Sequence, residues 1–362
     1  MSVWDTYASD YRAREVQAIT AATQAGECVS VVGLSGAGKS NLLGFVAHTQ
    51  STAGQRFVLV DSNRPPEYSL TAFLRLIRRA LGDAQPVAAP DEWETLDGLI
   101  EKQLDDPDGA LSLLLDLSLL DRSGLMSGEA SPALFNNLRA LRDAHKFRLT
   151  FVTASRRPLP PHNEFAELIH AHTHWLGPLS ESDARWNVAR FAERKGLRWD
   201  DAAAQALIAA SRGYPSLLRA ACEAYADGAS LDVSGLSAHP AVRARVEEFW
   251  ADNPGDEELL RSGLENLPLL MAGRAPTFDT SHLTAKENLL LGYFLDHPDV
   301  VCEKDDLIRA VWPEDKVFER GVRDDSLAQL IRRLREKIEP DPANPRYIHT
   351  VPGRGYRFTG GE

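Results

Sequence analysis

The chain has 362 residues, 43% of them hydrophobic, and a formal net charge of −12. That length suits two domains with separate cores, and the acidic balance excludes a surface coated in basic residues for indiscriminate contact with nucleic acid or membrane. Three widely separated cysteines, Cys28, Cys222 and Cys302, fit neither a disulfide framework nor a zinc site and suit a reducing compartment.

The opening "MSVWDTYASDYRAR" has no apolar core that would serve as a signal. No later run approaches the roughly 18 apolar residues that would span a bilayer, so the reading is a cytoplasmic protein without a membrane partner. From Glu27 the pattern is strand, glycine loop, helix: "ECVSVVG", "LSGAGKS", "NLLGFVAHT". Buried-strand runs follow in "RFVLVDSN", "LSLLLDLS" and "FRLTFVTAS", with a shorter one around "THWLGPL" and amphipathic helices between them. Such alternation predicts an α/β domain, a parallel sheet covered on both faces, over residues 1–178.

Strand signals vanish after Pro178, and three helical patterns define a lid over residues 179–231. Residues 232–282 carry Pro and Gly between helical pieces and read as a helical linker. Residues 283–362 form a last unit of helices ending in "RYIHTVPGRGYRF", a hairpin signal.

"GLSGAGKS" satisfies every fixed position of G-x-x-x-x-G-K-[ST] and sits between a strand and a helix. Gly33, Gly36 and Gly38 let amide hydrogens wrap a phosphate chain at a helix N-terminus. Lys39 suits the β- and γ-phosphates of ATP, or the β-phosphate of ADP, and Ser40 suits Mg²⁺. Asp116, closing "LSLLLD", is the second expected metal ligand. The next residue is Leu117, where many P-loop ATPases place a glutamate that polarises water, and an apolar side chain accepts no proton. Hydrolysis then needs another base, with Asp61 at the end of "FVLVD" the first candidate and Asp121 a weaker one. Otherwise ATP hydrolysis is slow and the nucleotide acts as a conformational ligand. Arg156 and Arg157 follow the strand "LTFVTAS", where a guanidinium can read a terminal phosphate. His170, His172 and His174 alternate in "IHAHTHW" without a framing acid or cysteine and read as surface or interface histidines. Trp4, Trp93, Trp175 and Trp250 read as packing residues.

The order of phosphate loop, bare-acid strand, "TASR", "LGPLSESDA" and "GYPSLLRAA" resembles the STAND branch of the AAA+-like ATPases across roughly residues 10–230. The resemblance implies that Arg156 contacts the terminal phosphate and that Pro215 packs on adenine. It also implies that "YRAREVQAI" brings Arg14 and Glu15 near the base, although Ala13 stands where the family has glycine. ATP-state assembly into a homo-oligomer is implied too. The long sensor repeats of many STAND proteins are missing from the pattern, so a separate partner or ligand would supply the signal.

The run "LTAKENLLLGYFLDHPDVVCEKDDLIRAVWP" with "RLREKIEPDPANPRYIHTVPGRGYRF" closely resembles the winged-helix effector domain of OmpR/PhoB-type regulators. From the residues alone, Leu327, Leu330, Ile331, Leu334 and Ile338 share one helix face, leaving Gln329, Arg332, Arg333 and Glu336 largely on the other. Gln and Arg suit major-groove base edges, and Arg354 at the hairpin tip suits a phosphate backbone or minor groove. Arg335 joins them in a segment, residues 326–358, whose charge balance is +4. The expected function is ATP-dependent, sequence-specific transcription regulation on double-stranded DNA. Two other functions use the same parts: an AAA+ ATPase acting on DNA as an initiator or transposition-type loader, and a signalling or defence ATPase whose winged helix docks protein.

Overall fold

Five apolar runs become parallel strands: β1 Val29–Val32, β2 Gln55–Val60, β3 Ala110–Asp116, β4 Leu149–Ser155 and β5 Thr173–Trp175. They lie in the order β2-β3-β4-β1-β5. β1 and β4 are buried at every position and β3 at all but its first, as expected of strands covered on both faces. At one edge β2 exposes Arg56, and at the other β5 is half-buried throughout. This computed structural model describes residues 2–60, 69–88, 91–117, 130–159, 164–272, 278, 280–297, 300–312, 320–339 and 341–359.

The helices joined to this sheet are α1 Ala13–Gln24, α2 Lys39–Thr49, α3 Leu70–Ala80, α4 Glu92–Gln103, α5 Ala130–His145 and α6 Glu164–His170. Phe73, Leu96, Leu113, Phe135, Phe151 and Phe165 are among the residues of one buried cluster between sheet and helices. The lid is α7 Glu181–Lys195, α8 Asp201–Ser211 and α9 Pro215–Ala226. Its boundaries follow from local chemistry. Ser180 and Asp200 cap α7 and α8 by accepting the amides of Asp183 and Ala203, Gly196 ends α7 in a left-handed conformation, and Pro215 occupies the first turn of α9.

The expected linker is helical: α10 Val233–Ala238, α11 Pro240–Ala251, α12 Asp256–Arg261 and α13 Pro268–Met271. Up to residue 269, however, it belongs to the first compact unit, residues 1–269, and the second unit comprises residues 270–362. The reason lies in side chains that the Pro and Gly signals obscured. Val242, Phe249, Leu259, Leu264 and Leu267 are buried, while Pro240 starts α11 and Gly255 caps the start of α12. Both breakers mark helix ends within a packed segment.

In the second unit α14 Ala285–Asp296, β6 Val301–Glu303, α15 Lys304–Val311, α16 Arg320–Ile338, β7 Ile348–Val351 and β8 Gly355–Phe358 follow one another. The strands form an antiparallel sheet in the order β6-β8-β7. Leu290, Phe294, Leu307, Leu327, Ile331, Leu334 and Phe358 share its core. Glu287 completes a capping box with Thr284 and also takes the ammonium of Lys337 at 2.7 Å, tying the start of α14 to the end of α16. Glu339 accepts the amides of Arg346, Tyr347 and Ile348 at 2.6, 3.0 and 2.8 Å and so anchors the strand that leads into the hairpin.

Candidate functional site

β1 carries the chain to the phosphate loop, and neighbouring strands pin its first residue. The Gly33 amide donates to the Ser155 carbonyl at 3.1 Å, and the Leu176 amide donates to Val32 at 2.6 Å. Gly36 and Gly38 hold φ of 83° and 88°, conformations that favour glycine, and Gly38 opens α2. The ammonium of buried Lys39 curls over the loop, donating to the carbonyls of Gly33 at 2.6 Å and Leu34 at 3.3 Å. Ser40 donates its hydroxyl to Asp116 at 2.5 Å, so the two expected metal ligands are brought together. A hydroxyl and a carboxylate at this spacing beside the phosphate loop fit Mg²⁺ with a phosphate chain.

Leu117 is fully buried in the sheet cluster, and its amide donates to Ala154 at 2.7 Å. The position after Asp116 is therefore part of the hydrophobic core and not of the phosphate site. Asp61 and Asp121 lie outside the described residues.

The lid closes directly on the loop. Tyr214, fully buried, donates its phenol to the Ser35 carbonyl at 2.6 Å, and the Ser216 amide donates to Gly36 at 3.2 Å. A Cβ at Gly36 would lie 2.0 Å from the Ser216 hydroxyl, and one at Gly38 would lie 3.5 Å from the Pro215 ring. Burial pushes the Tyr214 phenol far above its ordinary range, so it stays a donor at physiological pH. The ring meets Phe249 edge-on at 5.9 Å, and Phe249 meets Trp250 edge-on at 5.2 Å.

Arg14, expected near the base, is exposed on α1, and a second arginine is bonded to the loop itself. This is Arg12, whose left-handed backbone (φ 46°) turns the chain ahead of α1. Its side chain is 1% exposed. One guanidinium nitrogen donates to Ala37 of the phosphate loop at 3.0 Å and to Gly177 at 3.1 Å. Its amide donates at 3.2 Å to Asp183 of α7, whose carboxylate also takes the Ser180 hydroxyl. Arg12 thus joins the N-terminal segment, the loop and the lid. In the sequence its sole signal is its place two residues before the "RE" of "YRAREVQAI".

Arg156 lies one residue past β4, where Ser155 meets Gly33. It forms an ion pair with Asp252, just past α11. Arg157 donates to the carbonyls of Asp252 and Asn253, each at 3.1 Å, and pairs with Glu258 at 3.2 Å. His170 ends α6 while His174 lies on β5, so the three histidines do not share a strand face. No group of three metal-ligating side chains occurs among the described residues apart from any role of Ser40.

In the second unit Gln329, Arg332, Arg333 and Arg354 are exposed. Among the described residues Arg332 makes a surface pair with Glu336 at 3.0 Å, a weak tie. Arg335 departs from the expected reading face. Its guanidinium donates to the Ile348 carbonyl at 2.6 and 3.1 Å and to the Thr350 hydroxyl at 3.0 Å, bracing α16 against the hairpin. The helical period accounts for this, because position 335 borders Ile331 and Ile338 on the buried side.

A phosphate loop with Ser40 bonded to Asp116 and a helical lid, followed in the same chain by a winged helix, defines a P-loop NTPase with a regulator-type effector unit. Residues 11–227 match the family described as novel STAND NTPase 1, and the chain belongs to that family. Residues 279–358 match the family "Transcriptional regulatory protein, C terminal". The transcriptional regulatory protein YvrH of Bacillus subtilis is 40% identical over 94 residues, 26% of this chain and 36% of that protein. The sensory transduction protein RegX3 of Mycobacterium tuberculosis is 40% identical over 82 residues, 23% of this chain and 34% of that protein. The chain thus spans about a third of the length of these curated relatives. Among solved structures, the Walker-type ATPase of Pyrococcus abyssi is 12% identical, with 96% of this chain and 92% of that one covered at a TM-score of 0.46. The Orc1 protein of Aeropyrum pernix, solved in complex with DNA, is also 12% identical, with 97% and 89% covered at 0.42. No helix among the described residues is long and apolar enough to cross a membrane.

Proposed function

We propose that this protein is a nucleotide-controlled transcription regulator, in which ATP or ADP at residues 33–40 sets the affinity of the winged helix for a double-stranded DNA operator. The observation that carries the reading is the pair of hydrogen bonds from the lid to the phosphate loop, Tyr214 to Ser35 and Ser216 to Gly36. A phosphate chain entering the loop meets the lid's own contacts, so occupancy and lid position are linked.

Ser40 and Asp116 would hold Mg²⁺, which when bound neutralises phosphate charge, while Lys39 exchanges loop carbonyls for phosphate oxygens. Pro215 would border the base. Arg12 positions loop and lid relative to each other. With Leu117 in the core, position 117 supplies no base beside Asp116, which favours slow hydrolysis and a held state. Gln329, Arg332 and Arg333 would read base edges and Arg354 the backbone, and triphosphate-bound copies would pair on DNA. A separate protein or small ligand would supply the signal.

The test is binding of the full chain to its own promoter at fixed salt, without nucleotide, with ADP, and with a non-hydrolysable ATP analogue. A nucleotide-dependent change of about tenfold supports the reading. Equal affinity in all three states removes the nucleotide control. Turnover below about one per minute accords with a switch, against roughly 1 to 10³ per second for ordinary enzymes. Brisk DNA-stimulated turnover would favour a DNA-acting ATPase.

A further inference from the structure

The arginine expected to read a terminal phosphate is already held by a carboxylate of its own chain. Arg156 and Asp252 are 12% and 14% exposed, so their ion pair is largely shielded from water and salt. Arg157, beside it, grips the same turn through the Asp252 and Asn253 carbonyls and through Glu258. A third hold comes from Phe249 against Tyr214, the residue that bonds the phosphate loop. Between these holds Asn253 adopts the left-handed backbone, φ 47°, with which helices commonly end, here just past α11.

We propose that Asp252 determines the preference between nucleoside triphosphate and diphosphate: it competes with the terminal phosphate for Arg156, and a triphosphate that wins Arg156 loosens the turn at residues 252–258. The proposal rests on the phosphate-loop reading above and goes beyond it by naming what the third phosphate displaces. A guanidinium prefers paired oxygens in its plane, and Asp252 and a phosphate cannot both have that geometry at one fork. A diphosphate leaves the pair intact. A triphosphate binds against it and therefore binds less tightly than its contacts alone would allow. By reciprocity, whatever frees the turn tightens triphosphate. The turn lies in the first unit, which ends at residue 269.

Calorimetric titration of the full-length protein and its Asp252→Asn variant with ADP and a non-hydrolysable ATP analogue tests this. The variant should bind the triphosphate about tenfold more tightly and leave ADP affinity within about twofold. In the unmodified protein, amide hydrogen exchange across residues 249–258 should rise with the triphosphate and not with ADP, a readout independent of whether the variant folds. Equal effects on both nucleotides, or exchange that rises equally with both or with neither, overturn the proposal while leaving nucleotide binding standing. If the unmodified protein binds neither nucleotide, or Lys39→Ala binds both as tightly, the phosphate-loop reading fails and this proposal fails with it.

Discussion

Charged motif residues are used in opposite ways in the two units. Around the phosphate loop Lys39, Asp116 and Arg12 are buried, Arg156 is nearly so, and each engages another group of the protein. In the winged helix Arg332, Arg333 and Arg354 stand in solvent, while Glu287, Lys337, Glu339 and Arg335 bind one another's elements together. Under the proposed function the first arrangement would work by exchange of partners: a ligand would displace bonds already made. The second works by presentation on a braced frame. A charged residue in a motif is therefore not by itself a contact to the ligand.

The contrast can be broken most severely at Lys39. Lys39→Ala should weaken nucleotide binding by on the order of a hundredfold in a direct titration while the fold persists, because it deletes a charge reserved for phosphate. Leu117→Glu should destabilise the protein by about 3 kcal/mol in denaturant unfolding without accelerating hydrolysis, since its carboxylate would enter the core. A faster variant would show that position 117 reaches the phosphates.

In the second unit, Arg332→Ala with Arg333→Ala should cost about 1–3 kcal/mol of specific DNA binding for each base edge that is no longer read. Arg354→Ala should weaken all sequences alike and reduce the salt slope by about 1, as measured by titration across salt. Arg335→Ala belongs to the frame: a loss of about 2 kcal/mol in unfolding experiments is expected, because it removes charge-assisted bonds to β7. If it altered base preference with stability intact, the line drawn between presenting and bracing residues would move.

The smallest effect concerns acid. Burial raises the Glu287 carboxyl, but Lys337 and the Thr284 hydrogen bonds outweigh it and hold it below its ordinary 4.5. Its contribution is thus present above that value and lost as pH falls through the lower folded value. Hydrogen exchange of residues 285–338 should rise on acidification below about pH 4.5, and Glu287→Gln should flatten that limb.

Much of this is legible locally. The glycine loop, the buried strands, Asp116 and the apolar stripe of α16 depend on spacing and residue type, which neighbours in sequence reveal. Arg12 escapes such a reading because what selects it over Arg14 is a left-handed turn and carbonyls 25 and 165 residues away. Asp252 is invisible for the same reason, its partner lying 96 residues earlier. Pro240 and Gly255 mislead because helix ends inside a packed segment and linkers use the same breakers. Arg335 is readable in principle, since three- and four-residue spacing from Ile338 and Ile331 puts it beside the buried stripe.

Trp250 has a practical meaning beyond packing. Its indole lies against Phe249 at the end of α11, two residues before Asp252 and the turn gripped by Arg156 and Arg157. The protein therefore carries its own optical gauge. With Trp4, Trp93, Trp175, Trp186, Trp199 and Trp312 replaced by phenylalanine, the emission of Trp250 would report in real time whether that turn is seated, without any attached dye.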